Sequence, residues 1–493
     1  MTKMKKLITL FVAMLLLASM LGNVFAATPA ANEIKGSLVI VGGALESTNE
    51  AVYNKFIELA GGKEKARIAI IPAASSSPSK YANAFKEDLM NYGVSELNIE
   101  IIPIAVKDDK KTKDVDESSW AANGSNPEVA EKIRGCTGIW FVGGDQTRIT
   151  KTLLNEDGSN TIALDAIWEV YKNGGVVGGT SAGAAIMSEI MIAGGNSLGA
   201  LSKGFTDEYN DMNDQEQGPV YLQKGLGLFP YGIVDQHFDR KARLGRLIVT
   251  AYEKGDRDQF AYGVDENTAM IVNNQTETIE VVGSGGVTIV DVSKATKDTA
   301  SERTLMKNIV ISYIEQGDTF HIGTKEFKIN PKKLETAGYE YYNVKGPILN
   351  TGVLSPNSYW KQFIAFDLVD NVAVEEVKSY LFDDKGKGFE LIFRKTEESN
   401  GYWAYLNGGT KDYYSVLKVV LDIIPIQVHI KYDEKQIQVT TQVRQQREYV
   451  VKAGDVLWKI AQKFNIDLQK LIEANGLKNP NKIMAGQKLV IPD

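Results

Sequence analysis

The chain has 493 residues, is 43% hydrophobic and carries a net charge of −7, enough length for two to four globular domains with sizeable cores. Its lysines and arginines are spread along the chain rather than gathered, which argues against a nucleic-acid partner. A single cysteine, Cys136, excludes an internal disulfide, and the three histidines lack H-x-x-H or H-E-x-x-H spacing, so no metal and no organic cofactor is expected.

At the start, Lys3, Lys5 and Lys6 precede an apolar run from Leu7 to Leu21, and Val24-Phe25-Ala26 offers a small-x-small exit. This predicts a secretory signal peptide over 1–26, the alternative being an uncleaved anchor. From Ile34 to about Val272, apolar runs of strand length alternate with helix-like segments. The runs are 38–41, 68–71, 99–102, 139–142, 175–178 and 232–235, and segments such as 50–59, 82–92 and 162–172 lie between them. Near-continuous apolar strands alternating with helices predict an α/β domain over 34–290, a parallel sheet with helices on both faces. Cys136 precedes one apolar run and reads as a packing residue. From 291 to 435 the pattern alternates in strand fashion, with His321 and His429 as structural histidines and no legible role for the region. Residues 436–448 read as a linker. The segment 449–493 predicts strand, two helices and strand, with Asp467 capping the second helix.

The runs end in small or turn-forming residues, and in open parallel sheets sites form at the carboxyl ends of strands. Gly179-Thr-Ser-Ala-Gly183 fits G-x-S-x-G, a sharp strand-to-helix turn that presents the oxygen of Ser181. A serine needs a base, and His237 in Val234-Asp-Gln-His-Phe238 is the one histidine of the α/β domain. A helix is expected from Asp239 to Ile248, with Arg243 and Arg246 sharing a face suited to a carboxylate. Phe141-Val-Gly-Gly-Asp-Gln146 adds a glycine turn whose amides could complete an oxyanion pocket, with Gln146 beside it.

In their chain order, Phe141–Gln146, Gly178–Ala184 and Asp235–Phe238 with Arg243 and Leu244–Leu247, these motifs resemble those of the cyanophycinases, in the serine peptidase family that also contains aspartyl dipeptidases. The resemblance covers roughly Ile34 to Val290 and implies a flavodoxin-like sheet related to class I glutamine amidotransferases. It further implies Ser181 as nucleophile, His237 as general base, and Gln146, Asp235, Gln236, Lys241, Arg243 and Arg246 as substrate contacts. Backbone amides of Gly144, Asp145 and Ala182 are the expected oxyanion donors. The family substrate is cyanophycin, a polyaspartate whose side chains carry arginine; Asp145 and Asp235 are candidate partners for those arginines. Lys241 stands where family members carry arginine. The family's orienting glutamate is expected soon after a segment like Met191-Ile-Ala-Gly-Gly195, yet no acid follows there before Asp207. Glu208 is the chosen substitute, among Asp207, Asp211, Asp214 and Glu216.

The tail from Tyr449 to Pro492 resembles a LysM domain, which implies binding to N-acetylglucosamine glycans such as peptidoglycan, with contacts around Gly454 and Asp455 and near 477–483. The sequence thus reads as a secreted, cell-wall-associated serine peptidase acting on cyanophycin. The rivals are a peptidase of other acidic peptides and a wall-binding protein with an inactive hydrolase domain. The oligomeric state is left open, a homodimer included.

Overall fold

The computed structural model describes residues 34–113, 115–210, 216–344, 353, 359–429, 447–477, 479–480 and 482–492; the expected signal peptide and residues 436–446 of the expected linker lie outside them. The described chain forms two compact units, meeting in sequence at Val428 and His429.

In the first unit, β1 (Ser37–Val41), β2 (Ile68–Ile71), β3 (Ile99–Ile101), β4 (Gly138–Phe141) and β5 (Val176–Thr180) form a parallel sheet in the order β1-β5-β4-β2-β3. All but the edge strand β3 are buried along most of their length, which is why their sequences are apolar without alternation. The helices Glu50–Leu59, Pro78–Asn91 and Ile162–Lys172 cover the sheet, the first and last with the bounds read from the sequence. On one face Phe85 stacks on Trp140 at 4.4 Å between ring centroids, and Phe56 meets the same indole edge-on at 5.0 Å. A methyl group on Gly178 would stand 2.6 Å from that indole, so the glycines of β5 make room for the aromatic layer as well as for the turn after it.

Next come β6 (Ile190–Gly194), β7 (Phe205–Thr206) and β8 (Val220–Lys224), a separate small sheet. The chain then departs from the sequence expectation. β9 (Gly232–Asp235) does not join the first sheet; it pairs in parallel with β10 (Phe260–Val264) in a second sheet. After β10 the chain turns at 265–267 and returns to the first sheet as β11 (Thr268–Asn273), antiparallel to β1, and β12 (Thr278–Gly283); β13 (Gly286–Asp291) then goes back to β10. The turn at 265–267 thus carries the chain from the second sheet to the strand beside β1.

The region after 291 extends both sheets. The strand Met306–Glu315 pairs with β13 and with the long strand Asp412–Gln427, while Thr319–His321 pairs with β12. The expected boundary at 290 thus falls between hydrogen-bonded neighbours. His321 lies in that strand as expected, whereas Asp412–Gln427 ends before His429. Cys136 is half-buried, and burial pushes its thiol up to about 11.

Within the first unit, Lys333 Nζ lies 2.7 Å from Asp318 Oδ2 and donates to Ser415 Oγ at 2.8 Å, with both charged side chains fully buried. The second unit pairs strands Arg447–Val450 and Lys488–Ile491 and packs helices Leu457–Lys463 and Leu468–Ala474 on a small core. Asp467 caps the second helix, accepting from the amides of Gln469 and Lys470.

Removing one member of the Lys333–Asp318 pair leaves a buried charge without its partner. Lys333→Met is expected to cost about 3–5 kcal/mol in chemical denaturation, with part of the loss recovered in the double variant Lys333→Met/Asp318→Leu. A single variant as stable as the parent would refute the account.

Candidate active site

Strand β5 passes into the short helix Ala182–Ala185 with no intervening loop, and Ser181 sits at the junction with φ +56° and ψ −109°. A residue with a side chain is strained there, and persists because its surroundings fix it. The Ser181 carbonyl accepts from the amides of Ala184 and Ala185, and its own amide donates to Val41 O at 3.0 Å. The small residues of the motif follow from packing. A methyl on Gly179 would meet the backbone of Gly183 at 2.6 Å, and one on Gly183 would meet Phe141 O at 2.6 Å.

The second sheet delivers His237 just past β9, also with positive φ, +47°. Its amide donates to Gly42 O at 2.6 Å, and Phe238 packs its ring over Gly263. Gly43 leaves space for the imidazole: a methyl there would stand 2.3 Å from its Cε1. His237 Nε2 and Ser181 Oγ are 2.9 Å apart, and Nδ1 lies 2.5 Å from Glu266 Oε1. With the proton on Nδ1 donated to Glu266, Nε2 is left to accept the serine proton.

Glu266 corrects the expected third member. Glu208 is exposed, with its amide on Thr206 Oγ1, and Asp207 is likewise exposed. Glu216 faces Lys241 and Arg243, while Asp211 and Asp214 lie outside the described residues. The missed signal was Phe260-Ala-Tyr-Gly-Val264, a further apolar run of strand length ending in Asp265-Glu266. The strand-end rule that selected Ser181 and His237 would have selected it too.

Burial, and then the charges of Lys241 and Arg243, hold the His237 imidazole down at about 4 against the upward pull of Glu266. The ring is therefore neutral near pH 7, the form a general base needs. Among the described residues no group of acids, histidines or cysteines could hold a metal ion.

The expected helix from Asp239 begins only at Leu244 and runs to Lys254, because the preceding residues make a tight turn with Ala242 at positive φ. The cations do not line an open face. Arg246 is buried and forks onto Asp235, Nε to Oδ2 and Nη2 to Oδ1, both at 2.7 Å. Burial would raise the Asp235 carboxyl, but Arg246, Arg243 and the Gln236 amide together hold the group below its usual range. Asp235 is therefore committed to Arg246, and Asp145 caps the helix Gln146–Leu153, so neither is an open partner for a substrate arginine.

Arg243 is buried as well and donates to Gln236 O and to Glu216 Oε1, both at 2.7 Å; Lys241 Nζ reaches the same glutamate oxygen at 2.7 Å. Burial and the nearby Arg246 push the Arg243 guanidinium down to about 10. Gln146 turns inward, donating to the carbonyls of Ile192 and Ala193. Gln236 Oε1 and Arg243 Nε are buried with no hydrogen-bond partner among the described residues.

Of the expected oxyanion donors, the Asp145 amide is taken by Ala74 O at 3.0 Å. The Gly143-Gly144 turn remains beside the serine, a methyl on Gly143 coming within 3.3 Å of Ser181 Cβ, and Ala182 opens the helix after it. In the second unit Gly454 has φ +87°, and the Asp455 carboxylate accepts from Tyr449 Oη and the Lys452 amide, each at 2.8 Å.

Comparison with known proteins assigns two segments of the chain. Residues 38–280 match the model of Peptidase family S51, and residues 449–492 match that of the LysM domain. A cyanophycinase of Trichormus variabilis is 31% identical over 299 residues, covering 58% of this chain and 86% of that protein. A cyanophycinase of Geminocystis herdmanii is 29% identical over 300 residues, covering 59% and 96%. A solved peptidase structure from an acI-B1 Actinobacterium aligns at 23% identity with a TM-score of 0.38, covering 52% of this chain and 91% of that one, too loose a likeness to add to the fold described above.

The geometry predicts that a fluorophosphonate probe labels the parent chain and not Ser181→Ala. Glu266→Gln should slow labelling by on the order of 10³–10⁴-fold through loss of the correct tautomer. Glu208→Gln should label at the parent rate, and the reverse order would restore Glu208.

Proposed function

Because the chain belongs to peptidase family S51 and is a serine-type peptidase with a LysM domain at its C-terminus, we infer that it hydrolyses cyanophycin or a closely related aspartyl polymer at the cell wall. The observation that carries the reading is the continuous chain from Ser181 through His237 to Glu266, at 2.9 and 2.5 Å.

In this reading Ser181 Oγ attacks the backbone amide carbonyl of an aspartyl unit while His237 Nε2 takes its proton. The amides of Gly144 and Ala182 receive the developing oxyanion. His237 then protonates the leaving amine, and water releases the acyl group by the same steps reversed, giving β-aspartyl-arginine dipeptides. Glu266 keeps the imidazole in the productive tautomer and stabilises its transient charge. Lys241 and Arg243 form a cationic clamp on which the Glu216 carboxylate now rests. A substrate carboxylate has the chemistry to replace it. The inactive-hydrolase alternative drew its force from a missing acid, and Glu266 removes that reason.

The LysM module suits glycan binding and with it an extracellular or wall-bound setting. Among the described residues no helix is long and apolar enough to cross a membrane. The expected signal peptide agrees with that setting.

Purified full-length chain incubated with cyanophycin should release β-aspartyl-arginine. Ser181→Ala should abolish release, a loss of at least about 10⁴-fold, while retaining sedimentation with peptidoglycan. Consumption of α-aspartyl dipeptides with cyanophycin left intact would replace the substrate. For pH, the base works only as the neutral imidazole. With His237 held down at about 4, kcat/KM should stay level from pH 7 to about 5 and fall only below that. Glu266 raises the histidine's affinity for protons, so Glu266→Gln should move the acid limb lower still. An acid limb near pH 6.5 in the parent would contradict the electrostatic account.

A further inference from the structure

The part of the first unit beyond β13 encloses a cavity of about 630 Å³ that the chemistry at Ser181 does not use. It lies among the paired strands Leu334–Glu335 and Asn400–Tyr405, the start of Asp412–Gln427 and the helix Gln362–Val369. Seven of its twelve lining residues are aromatic, three are the carboxylates Glu335, Asp370 and Asp412, and none is cationic. Some of the rings stand open to water: Tyr341 is 83% exposed and Tyr405 54%. Large aromatic surface held in the open beside a cavity marks a binding site more often than a packing accident.

The walls are fixed in place. Trp403 Nε1 donates to Asp412 Oδ1 at 2.7 Å, and its ring meets Tyr405 edge-on at 4.9 Å between centroids. Tyr414 Oη and the Tyr341 amide donate to the two oxygens of Asp370, at 2.6 and 2.8 Å. Each carboxylate has about four lone-pair sites, so these contacts orient the acids without exhausting them. Three acids, aromatic faces with their negative quadrupoles and no lining cation select a positively charged guest. A planar, weakly hydrated one fits best, since it can stack on a ring and fork onto a carboxylate together.

We propose that this cavity binds a guanidinium group, the side chain of an arginine carried on a peptide or polymer. Its position gives that binding a use. Lys411, next to Asp412, donates through Nζ to Ser284 O, and the Ser284 amide donates at 2.9 Å to Asn267 O, the neighbour of Glu266. The cavity wall is thus continuous with the turn that carries the catalytic edge. A polymer engaged at both places would be held by its arginines while it is cut at Ser181. The role in holding an arginine-bearing polymer rests on the hydrolysis proposed above; the preference for guanidinium does not.

The test is calorimetric titration of full-length Ser181→Ala with Nα-acetyl-arginine amide, with its neutral citrulline counterpart, and with cellohexaose. Saturable binding of the arginine probe is expected, with citrulline at least about tenfold weaker. Asp412→Asn keeps an acceptor for Trp403 but loses the charge, and Tyr341→Ala removes an exposed ring. Each should weaken the arginine probe about fivefold or more with the melting transition unchanged. Absence of saturation, equal binding of citrulline, preference for cellohexaose, or indifference to both substitutions would overturn the proposal. Hydrolysis is followed separately with the parent chain. Arginine binding without cyanophycin cleavage would refute only the hydrolytic reading, and cleavage without arginine binding only the cavity.

Discussion

Two consecutive carbonyls at the end of the first strand hold the site together. Val41 O accepts the amide of Ser181 and Gly42 O accepts the amide of His237. Both acceptors' partners have positive φ, a conformation that costs each on the order of 1–3 kcal/mol and needs outside support. One rigid strand end supplies that support twice, from adjacent peptide units. Ser181 comes from one sheet and His237 from another, yet their separation is set by the fixed spacing of neighbouring carbonyls. Gly43 completes the arrangement, since any side chain there would occupy the place of the imidazole.

The crossing of two sheets also explains what the sequence concealed. Strand-length apolar runs, the helices Glu50–Leu59 and Ile162–Lys172 and the glycine-flanked serine were legible because each is dictated locally, by burial on both faces, by capping or by lack of space. Ser181 and His237 could be picked because each ends a strand-length apolar run. Which sheet a strand joins is not a local property. β9 reads like the parallel strands before it, yet pairs with β10 elsewhere. Glu266 is hidden for a related reason: distance in sequence from β6 does not locate it, because its place is decided by the turn that carries the chain from one sheet to the other. The fate of the arginines was hidden too. A pattern of cations three apart gives a shared helical face but cannot say that Asp235 waits in the interior to neutralise Arg246.

Electrostatics around the imidazole follow from this burial. Lys241 and Arg243 lower its proton affinity and Glu266 raises it, and burial adds to the lowering. Asp265, beside Glu266 in the chain, does not add a second negative charge near neutral pH. Its buried carboxyl is pushed up to about 8, first by desolvation and then by Asp239. Glu266 is thus the carboxylate in direct contact with the ring, placed to balance a positive charge on it. A neutral base with one nearby anion is suited to forming a charge briefly rather than storing it.

The same reasoning bears on how an arginine-bearing polymer would be recognised. Near the serine the acids are committed: Asp235 to Arg246, Asp145 to the helix it caps, Glu266 to His237 and Glu216 to the Lys241–Arg243 clamp. A guanidinium placed there would meet cations already in possession of the available anions. Carboxylates with hydrogen bonds but no ion pair among the described residues lie instead beyond the turn at 265–267, beside aromatic faces around Asp412 and Trp403. A polymer carrying both kinds of charge would be read by dividing them, its free carboxylates at the clamp and its guanidinium groups along the aromatic wall. The strands after Asp291 then have a reason to continue the catalytic sheets without a flexible joint. A second recognition surface helps a distant cleavage only when its position relative to the nucleophile is fixed.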